Sequence, residues 1–243
     1  MVLRTVAYGE SDRVVVLLCA RRGKVSALAK GARRSQRRFA GGLGLLQLGR
    51  ATLAERPGAE LARLDRFEPT ETWPGLYTDL GKIAHAGYAA ELLDALAPPR
   101  QPDPPIFALA CAFARALEAG EARVELLRVF ELTLLDRAGL RPVLDRCVAC
   151  GRPADDGAGQ RVDPHRGGIV CGRCGGEGPL LDGAARTALR AAQATDLADA
   201  HALHLAPAAR PGARAALQAI LGAHLGRTLR SVDFIDKLNQ AAT

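Results

Sequence analysis

The feature that most restricts the fold of this chain is a pair of Cys-x-x-Cys motifs in its second half. The motifs are Cys147-Val-Ala-Cys150 and Cys171-Gly-Arg-Cys174, with 20 residues between them. This spacing is typical of a site in which four thiolates bind one metal ion in a tetrahedron. Because four protein ligands leave no open position for water or substrate, the pattern predicts a structural zinc site. An iron–sulfur cluster is the alternative that four cysteines also permit.

The residues around the two motifs explain why a metal is expected there. Residues 145–178 contain many glycines and few large apolar side chains, so this segment cannot bury a core of its own. A bound metal can replace such a core. Gly151 and Gly172 are predicted to occupy turn positions that require a positive φ. His165 falls between the pairs, and with four cysteines already present we interpret it as a loop residue.

The first third of the chain has the pattern of a small β domain. Short runs rich in apolar and β-branched residues are separated by turn residues, as in strands joined by tight turns. The runs lie at Val14–Ala20, Val25–Lys30, Leu45–Ala54 and Glu60–Glu68. Several short strands within about 70 residues predict a closed or partly closed barrel.

Beyond residue 76 the apolar residues recur at helical spacing. Five helices are predicted. The first is capped by Asp79 and ends before Pro98, and the fourth is capped by Asp182 and ends at Ala194. The other three span Pro105–Ala119, Ala122–Ala138 and Ala213–Leu229. We therefore predict an α+β protein of several domains. Its predicted parts are a basic β domain (1–76), a helical bundle in two pieces (77–144 and 179–243) and an inserted cysteine segment (145–178).

The net charge of the chain, +7, belongs entirely to the β part. Residues 1–72 hold 14 Lys and Arg against 7 Asp and Glu, whereas the remaining residues hold 19 of each. Such asymmetry indicates a polyanion-binding module joined to a neutral partner. The alternative is a basic, solvated face without a partner. Within the neutral part, Arg186 and Arg190 are expected to be surface cations comparable to those of the basic part.

Five cations cluster within nine residues between two of the predicted strands. They are Lys30, Arg33, Arg34, Arg37 and Arg38, here called the basic loop. Side chains of this kind neutralise consecutive phosphates of a nucleic acid and release counterions. Lys24, in the preceding turn, is assigned to the same DNA-binding set. Phe39 follows the loop, and the sequence leaves two roles open for it: stacking on a base or anchoring the loop in the core.

Motifs that would indicate an enzyme are missing from the sequence. It contains no phosphate-binding Gly-x-x-x-x-Gly-Lys-Ser/Thr, no Rossmann glycine pattern, no His-Glu-x-x-His and no Gly-x-Ser-x-Gly. The acidic residues Glu10 and Asp12 flank Ser11, and we interpret this triplet as a turn or capping element. The longest apolar run, Val14–Ala20, is far below the roughly 18 residues of a membrane-spanning helix. We expect a cytoplasmic protein that is not an enzyme and has no membrane partner.

Several motifs resemble, in order along almost the whole chain, those of the bacterial DNA repair family RecO. The N-terminal motifs are Tyr8-Gly-Glu-Ser-Asp12 and Gly23-Lys24-Val-Ser26, continuing to Lys30-Gly31-Ala32-Arg33-Arg34. The later motifs are Phe130-Glu131-Leu-Thr-Leu-Leu135, Gly139-Leu-Arg-Pro142, Asp145-Arg-Cys147-Val-Ala-Cys150, Gly167-Gly168-Ile-Val-Cys171 and Leu229-Arg230-Ser231.

This resemblance implies an N-terminal OB-fold, a helical domain and a zinc-binding insertion. It implies a mediator of the RecF pathway that binds single- and double-stranded DNA, anneals complementary strands without ATP and assists recombinase loading. The implied partners are RecR and the C-terminal tail of the single-stranded-DNA-binding protein, and the implied location is cytoplasmic and nucleoid-associated. The residues themselves leave two other classes open: an RNA-associated OB-fold zinc protein, and a metal-dependent nuclease, which the lack of a carboxylate cluster disfavours.

Overall fold

The computed structural model describes residues 1–35, 37–39, 42–55, 58–155 and 159–241. The chain divides into two compact units, one formed by Met1–Ala122 with Ser231–Thr243 and the other by Arg123–Arg230. They are called unit 1 and unit 2 below. The α+β class expected from the sequence is confirmed, while the division into four sequence segments stays a prediction.

Unit 1 is built on a five-stranded sheet with the strand order β1-β2-β3-β5-β4. The strands are β1 (Val2–Tyr8), β2 (Asp12–Cys19), β3 (Gly23–Ala29), β4 (Leu48–Ala54) and β5 (Ala62–Glu71). Neighbouring strands are antiparallel except β3 and β5, which pair in parallel through Ala27 opposite Ala62 and Leu28 opposite Arg63. The sequence analysis missed β1 and found the other four strands.

The closed barrel expected from the sequence is not confirmed. In the described part of the chain, β1 and β4 form the two edges of the sheet, and no strand ladder joins them. The backbone of β1 bonds to the segment before β4 at the beginning of the strand, and the Thr5 hydroxyl donates to the Leu43 carbonyl of that segment at 3.0 Å. The Val2 N–H donates to the Gln47 carbonyl at 2.9 Å, and the Leu46 N–H donates to the Val2 carbonyl at 2.8 Å.

The concave core of this sheet decides the role of Phe39. Phe39 is 3% exposed and packs in one cluster with buried residues of β2, β3 and β5, among them Leu64 and Phe67. The guanidinium of Arg38 lies over its ring, 5.3 Å from the centroid. The Phe67 N–H donates to the Arg38 carbonyl at 2.9 Å, which fixes the end of the basic loop to β5. Phe39 is therefore a core anchor, and its ring is not available to stack on a base.

We expect Phe39→Ala to lower the free energy of unfolding by about 3–5 kcal/mol, because it removes a fully buried aromatic ring from a packed core. Phe39→Leu should lower it less, since leucine refills part of the volume. Urea denaturation of the three proteins measures this difference. An unfolding midpoint of Phe39→Ala equal to that of the wild type would contradict the core assignment.

Three helices of unit 1 are α1 (Leu80–Leu96), α2 (Pro104–Ala119) and α6 (Arg230–Ala241), the last beginning at the boundary between the units. The predicted cap at Asp79 is confirmed, because its carboxylate accepts the Lys82 N–H at 2.9 Å. The connection from β5 to α1 is held by Glu118 of α2, whose carboxylate accepts the Gly75 and Leu76 N–H groups at 3.0 and 2.8 Å. These contacts use the free N–H groups of a short helical turn.

Unit 2 combines α3 (Val124–Arg137), α4 (Gly183–Ala194) and α5 (Arg210–Leu225) with a small sheet of order β7-β6-β8. The strands are β6 (Gln160–Asp163), β7 (Gly168–Val170) and β8 (Leu180–Leu181). The predicted cap at Asp182 is confirmed by its bond from the Ala185 N–H at 2.7 Å. The predicted helix Ala213–Leu229 was too long, because Gly226 takes φ 62° and ends α5 one residue after Leu225. The separate helix α6 was missed.

Unit 2 also buries charged side chains that the sequence pattern would place on the surface. Arg186 is 1% exposed, and its guanidinium donates to the Leu144 carbonyl at 3.4 Å. The expectation that Arg186 is a surface cation like Arg190 was therefore wrong. Arg128 and Glu131 of α3 are buried as an ion pair at 2.8 Å. In the described part of the chain, no helix is both long and apolar enough to span a membrane.

Candidate metal centre and nucleic-acid interface

Each cysteine pair of unit 2 lies in a tight turn that aims its two sulfurs in one direction. In the first turn the Gly151 N–H donates to the Cys147 carbonyl at 2.9 Å, and in the second the Gly175 N–H donates to the Cys171 carbonyl at 3.2 Å. Gly151 and Gly175 have φ of 74° and 67°. The prediction for Gly151 is confirmed, whereas that for Gly172 was wrong. The glycine that requires a positive φ directly follows the second cysteine of each pair.

The strands β6 and β7 bring the two turns together. The Val148 N–H donates to the Ile169 carbonyl at 2.8 Å, so the first turn lies beside β7, which leads directly into the second. The four sulfurs of Cys147, Cys150, Cys171 and Cys174 all lie within 4.8 Å of one another. Between the two turns, Cys150 Sγ and Cys171 Sγ lie 3.8 Å apart.

This sulfur geometry fits a single metal ion. Four sulfurs bound at about 2.3 Å in a tetrahedron lie roughly 3.8 Å from one another. An iron–sulfur cluster would need room for its own irons and sulfides between the cysteines, so the close spacing favours one ion. Four thiolates around one ion, with no exchangeable position, suit zinc in a structural role. The sequence-predicted ligands are thus brought together as a set.

The electrostatics of the cluster favour at least one thiolate. Burial raises the pKa of Cys147, but the N–H groups of Cys171, Cys150 and Ala149 point at its sulfur and hold its pKa at about 6. The Cys171 N–H lies 3.3 Å from this sulfur. By contrast, contacts with the sulfurs of Cys150 and Cys171 raise the pKa of Cys174 to about 12. Backbone dipoles therefore stabilise negative charge on this sulfur, which is the form that binds a metal ion.

The basic loop lies in unit 1, between β3 and β4, and is fastened to the hairpin that joins β1 and β2. The Gly31 N–H donates to the Asp12 carboxylate at 2.8 Å, and the Arg33 N–H donates to the Ser11 carbonyl at 3.0 Å. The bond from Gly31, followed by one from Ser11, lowers the pKa of Asp12. The interpretation of the Glu10–Asp12 triplet as a turn or capping element is confirmed. The Asp12 carboxylate and the Ser11 carbonyl together hold the first residues of the basic loop in place.

The basic loop carries more positive charge than its acidic neighbours, Glu10 and Asp12, can offset. Among the described residues, no carboxylate lies within ion-pair distance of Lys30, Arg33, Arg34, Arg37 or Arg38. Where their side chains do bond, the partners are neutral. Arg38 donates to the Lys30 carbonyl at 2.7 Å, and Arg33 donates to the Glu10 carbonyl at 3.3 Å. The loop therefore presents five positive charges that an external polyanion can neutralise.

The structure separates Lys24 from the basic loop. Lys24 and Lys30 flank opposite ends of β3, six residues and therefore about 20 Å apart. The Lys24 side chain is 18% exposed and forms an ion pair with Asp94 of α1 at 3.5 Å. Its role in DNA binding stays a prediction. At the same end of the sheet, Arg21 and Arg50 line a cleft of about 760 Å³ whose wall includes Phe67 and Phe107.

Comparison with known proteins identifies the family. A family model described as "Recombination protein O N terminal" matches residues 1–73, and one described as "Recombination protein O C terminal" matches residues 77–233. The chain belongs to the RecO family. A protein named "DNA repair protein RecO" from Anaeromyxobacter sp. (strain K) is 47% identical over 241 residues, which cover 98% of this chain and 94% of that protein.

Two further RecO proteins are similar to this chain over nearly the same length. "DNA repair protein RecO" of Myxococcus xanthus is 39% identical over 241 residues, covering 97% of this chain and 94% of the relative. The protein of the same name from Geobacter sulfurreducens is 35% identical over 238 residues, covering 98% and 96%. The resemblance drawn from the motifs is confirmed, and with it a role in DNA repair and recombination for this RecO-family chain.

The bond between Gly31 and Asp12 makes a prediction about the basic loop. We expect Asp12→Ala to accelerate hydrogen exchange at the Gly31 amide, because the variant removes the acceptor. In the wild type, the lowered pKa of Asp12 means that its stabilising contribution is present above the ordinary carboxyl pKa of about 4 and is lost as the pH falls through the lowered value. Exchange measured by NMR, corrected for intrinsic rates, checks both statements.

Asp65→Ala, which removes an exposed carboxylate of β5, is the control. Unchanged exchange in Asp12→Ala would contradict the proposed anchor.

The sulfur cluster makes a prediction about metal content. We expect one zinc per chain, and we expect Cys147→Ser to lose it together with much of the thermal stability of unit 2. Zinc binding contributes roughly 10–16 kcal/mol in isolated zinc-finger peptides. Elemental analysis and thermal unfolding provide the measurements, and Cys19→Ser, which alters a cysteine outside the cluster, provides the control. A wild-type protein without zinc, or a Cys147→Ser variant that retains it, would refute the assignment, and visible absorption would favour iron.

Proposed function

We propose that this RecO-family protein is a recombination mediator, not an enzyme, which binds single- and double-stranded DNA through the basic loop of unit 1. The single observation that carries the proposal is the set of five loop cations without acidic partners in the described structure. The open five-stranded sheet acts in this proposal as an OB-type module that presents the loop. In this proposal, unit 2 contributes the structural zinc.

The proposed activity is annealing of complementary strands without ATP. Two strands repel each other through their phosphates, and this repulsion opposes their pairing. Cations that neutralise phosphates on one strand lower that barrier while leaving the bases free to pair. Because Lys24 is already paired with Asp94, we propose that it contributes less to phosphate binding than the loop cations.

The proposed partners follow from the family. They are RecR and the C-terminal tail of the single-stranded-DNA-binding protein, with recombinase loading as the joint outcome in the RecF pathway. A cytoplasmic, nucleoid-associated location is part of the same proposal. The relatives' printed name, "DNA repair protein RecO", supports the repair role, and the loop charges support the contact with DNA.

The test replaces two arginines of the basic loop with glutamate. This variant is compared with one in which two other arginines of unit 1 are replaced in the same way. Arg33→Glu/Arg34→Glu should weaken binding to any DNA sequence and slow annealing, both with and without RecR. Each lost phosphate contact should reduce the log–log salt slope by about 0.7 for single strands and about 0.9 for duplex. Fluorescence anisotropy against salt measures the slopes, and a strand-pairing assay with labelled oligonucleotides measures annealing.

The matched control is Arg63→Glu/Arg66→Glu. These arginines of β5 are equally exposed, but each is paired with a carboxylate, Asp65 at 2.6 Å and Glu68 at 2.9 Å. Exposed pairs of this kind contribute at most about 1 kcal/mol to stability, so both double variants should remain folded. The control changes the net charge by the same amount as the loop variant. If both variants lose DNA affinity equally, binding depends on net charge alone and the loop assignment is wrong.

A further inference from the structure

The burial of Phe39 leaves the basic loop without the aromatic side chain that the sequence offered for base contacts. Proteins that bind single strands usually combine cations for the phosphates with exposed rings for the bases. In the described part of the chain, the large aromatic residues that remain well exposed are Tyr8, Tyr77 and Phe234. The hydroxyl of Tyr77 already donates to the Leu45 carbonyl at 2.8 Å.

Tyr8 lies beside the attachment point of the basic loop. It is the last residue of β1 and pairs directly with Asp12, the residue whose carboxylate holds Gly31 of the loop. Residues opposite each other in an antiparallel pair have Cα atoms only about 4.5–5.5 Å apart. Tyr8 is 59% exposed, and no described residue forms a hydrogen bond with its hydroxyl. Its ring is therefore accessible to a ligand from solvent.

The surroundings of Tyr8 suit a base better than a phosphate. Val6 shares its face of β1, two residues away, and is 44% exposed, so the two side chains form a continuous apolar surface. Glu10 and Asp12 at the hairpin carry negative charge, which disfavours a phosphate at this position. The cations lie on the adjoining loop, where Arg33 reaches the Glu10 carbonyl.

We propose that Tyr8, supported by Val6, is a stacking platform for unpaired bases of single-stranded DNA, next to the phosphates held by the basic loop. This inference rests on the proposed function. It assigns to Tyr8 the selection of single strands over duplex, because bases inside a duplex are already stacked and do not expose their faces. The loop cations then supply affinity that is common to both forms of DNA, and Tyr8 supplies the difference between them.

The test compares three DNA probes of equal length: an oligothymidine, an abasic strand with the same number of phosphates, and a duplex. Tyr8→Ala should weaken binding of oligothymidine by roughly 5- to 150-fold, the range for losing one base–aromatic stack. Binding of the abasic strand and of the duplex should stay unchanged, as should the salt slope on all three probes. Tyr8→Phe should bind like the wild type, because it keeps the ring.

The control variant is Tyr77→Ala, which removes another exposed tyrosine of unit 1 and should leave binding of all three probes unchanged. Thermal unfolding of Tyr8→Ala should match the wild type, since the side chain is mostly exposed. Equal weakening on all three probes, or no weakening on oligothymidine, overturns the proposal for Tyr8.

The loop variant Arg33→Glu/Arg34→Glu distinguishes a failure of the stacking platform from a failure of the proposed function. If it weakens binding of all three probes while Tyr8→Ala changes none, the proposed function stands and only the stacking platform is wrong. If the loop variant binds all three probes like the wild type, the proposed function is wrong and the role of Tyr8 is overturned with it.

Discussion

The hydrogen bond from the Gly31 N–H to the Asp12 carboxylate is the contact that fixes the position of the basic loop in unit 1. It joins residues 19 positions apart in the chain and fastens the basic loop to the β1–β2 hairpin. Five like charges within nine residues repel one another, so a loop of this composition needs anchors to keep a defined shape. Beside the Asp12 carboxylate, neutral acceptors supply them, since the described side-chain bonds of Arg33 and Arg38 end on carbonyl oxygens and on the Ser35 hydroxyl.

The cysteine segment lacks an apolar core of its own, and backbone turns position its four sulfurs instead. Its turns aim N–H groups at the sulfur of Cys147, which stabilises negative charge there. The two units thus concentrate opposite charges. The basic loop of unit 1 groups five cations, and the cysteine cluster of unit 2 favours a thiolate.

The success of the sequence analysis was limited to what neighbouring residues determine. The cysteine spacing, the caps at Asp79 and Asp182 and the strands β2 to β5 are encoded in short patterns, and they were predicted correctly. The family resemblance was carried by motifs of the same local kind. The strand β1 was missed because its outer residues are only partly apolar, and its edge position relaxes the usual alternation.

Local patterns give no information on side chains whose partners are distant in the chain. Arg186, wrongly expected at the surface, is buried against Leu144, which is 42 residues away. Lys24, whose DNA-binding role stays a prediction, pairs with Asp94, which is 70 residues away. Neither partner can be read from a local window. The same holds for Phe39, for which both a stacking and a core role agreed with the sequence until its packing against Leu64 and Phe67 was seen.

The parallel pairing of β3 with β5 has a consequence for how the sheet assembles. Ala27 can meet Ala62 only after the whole intervening segment, including the basic loop, has turned back on itself. Contacts between residues so far apart in sequence slow folding, because the entropy of closing the loop is lost before the contacts form. Here the closure also crowds five cations together, a repulsion that dissolved ions screen. Ionic strength therefore acts on this segment in two opposite ways: it eases the formation of the sheet, and in the proposed function it weakens the binding of the finished loop to DNA.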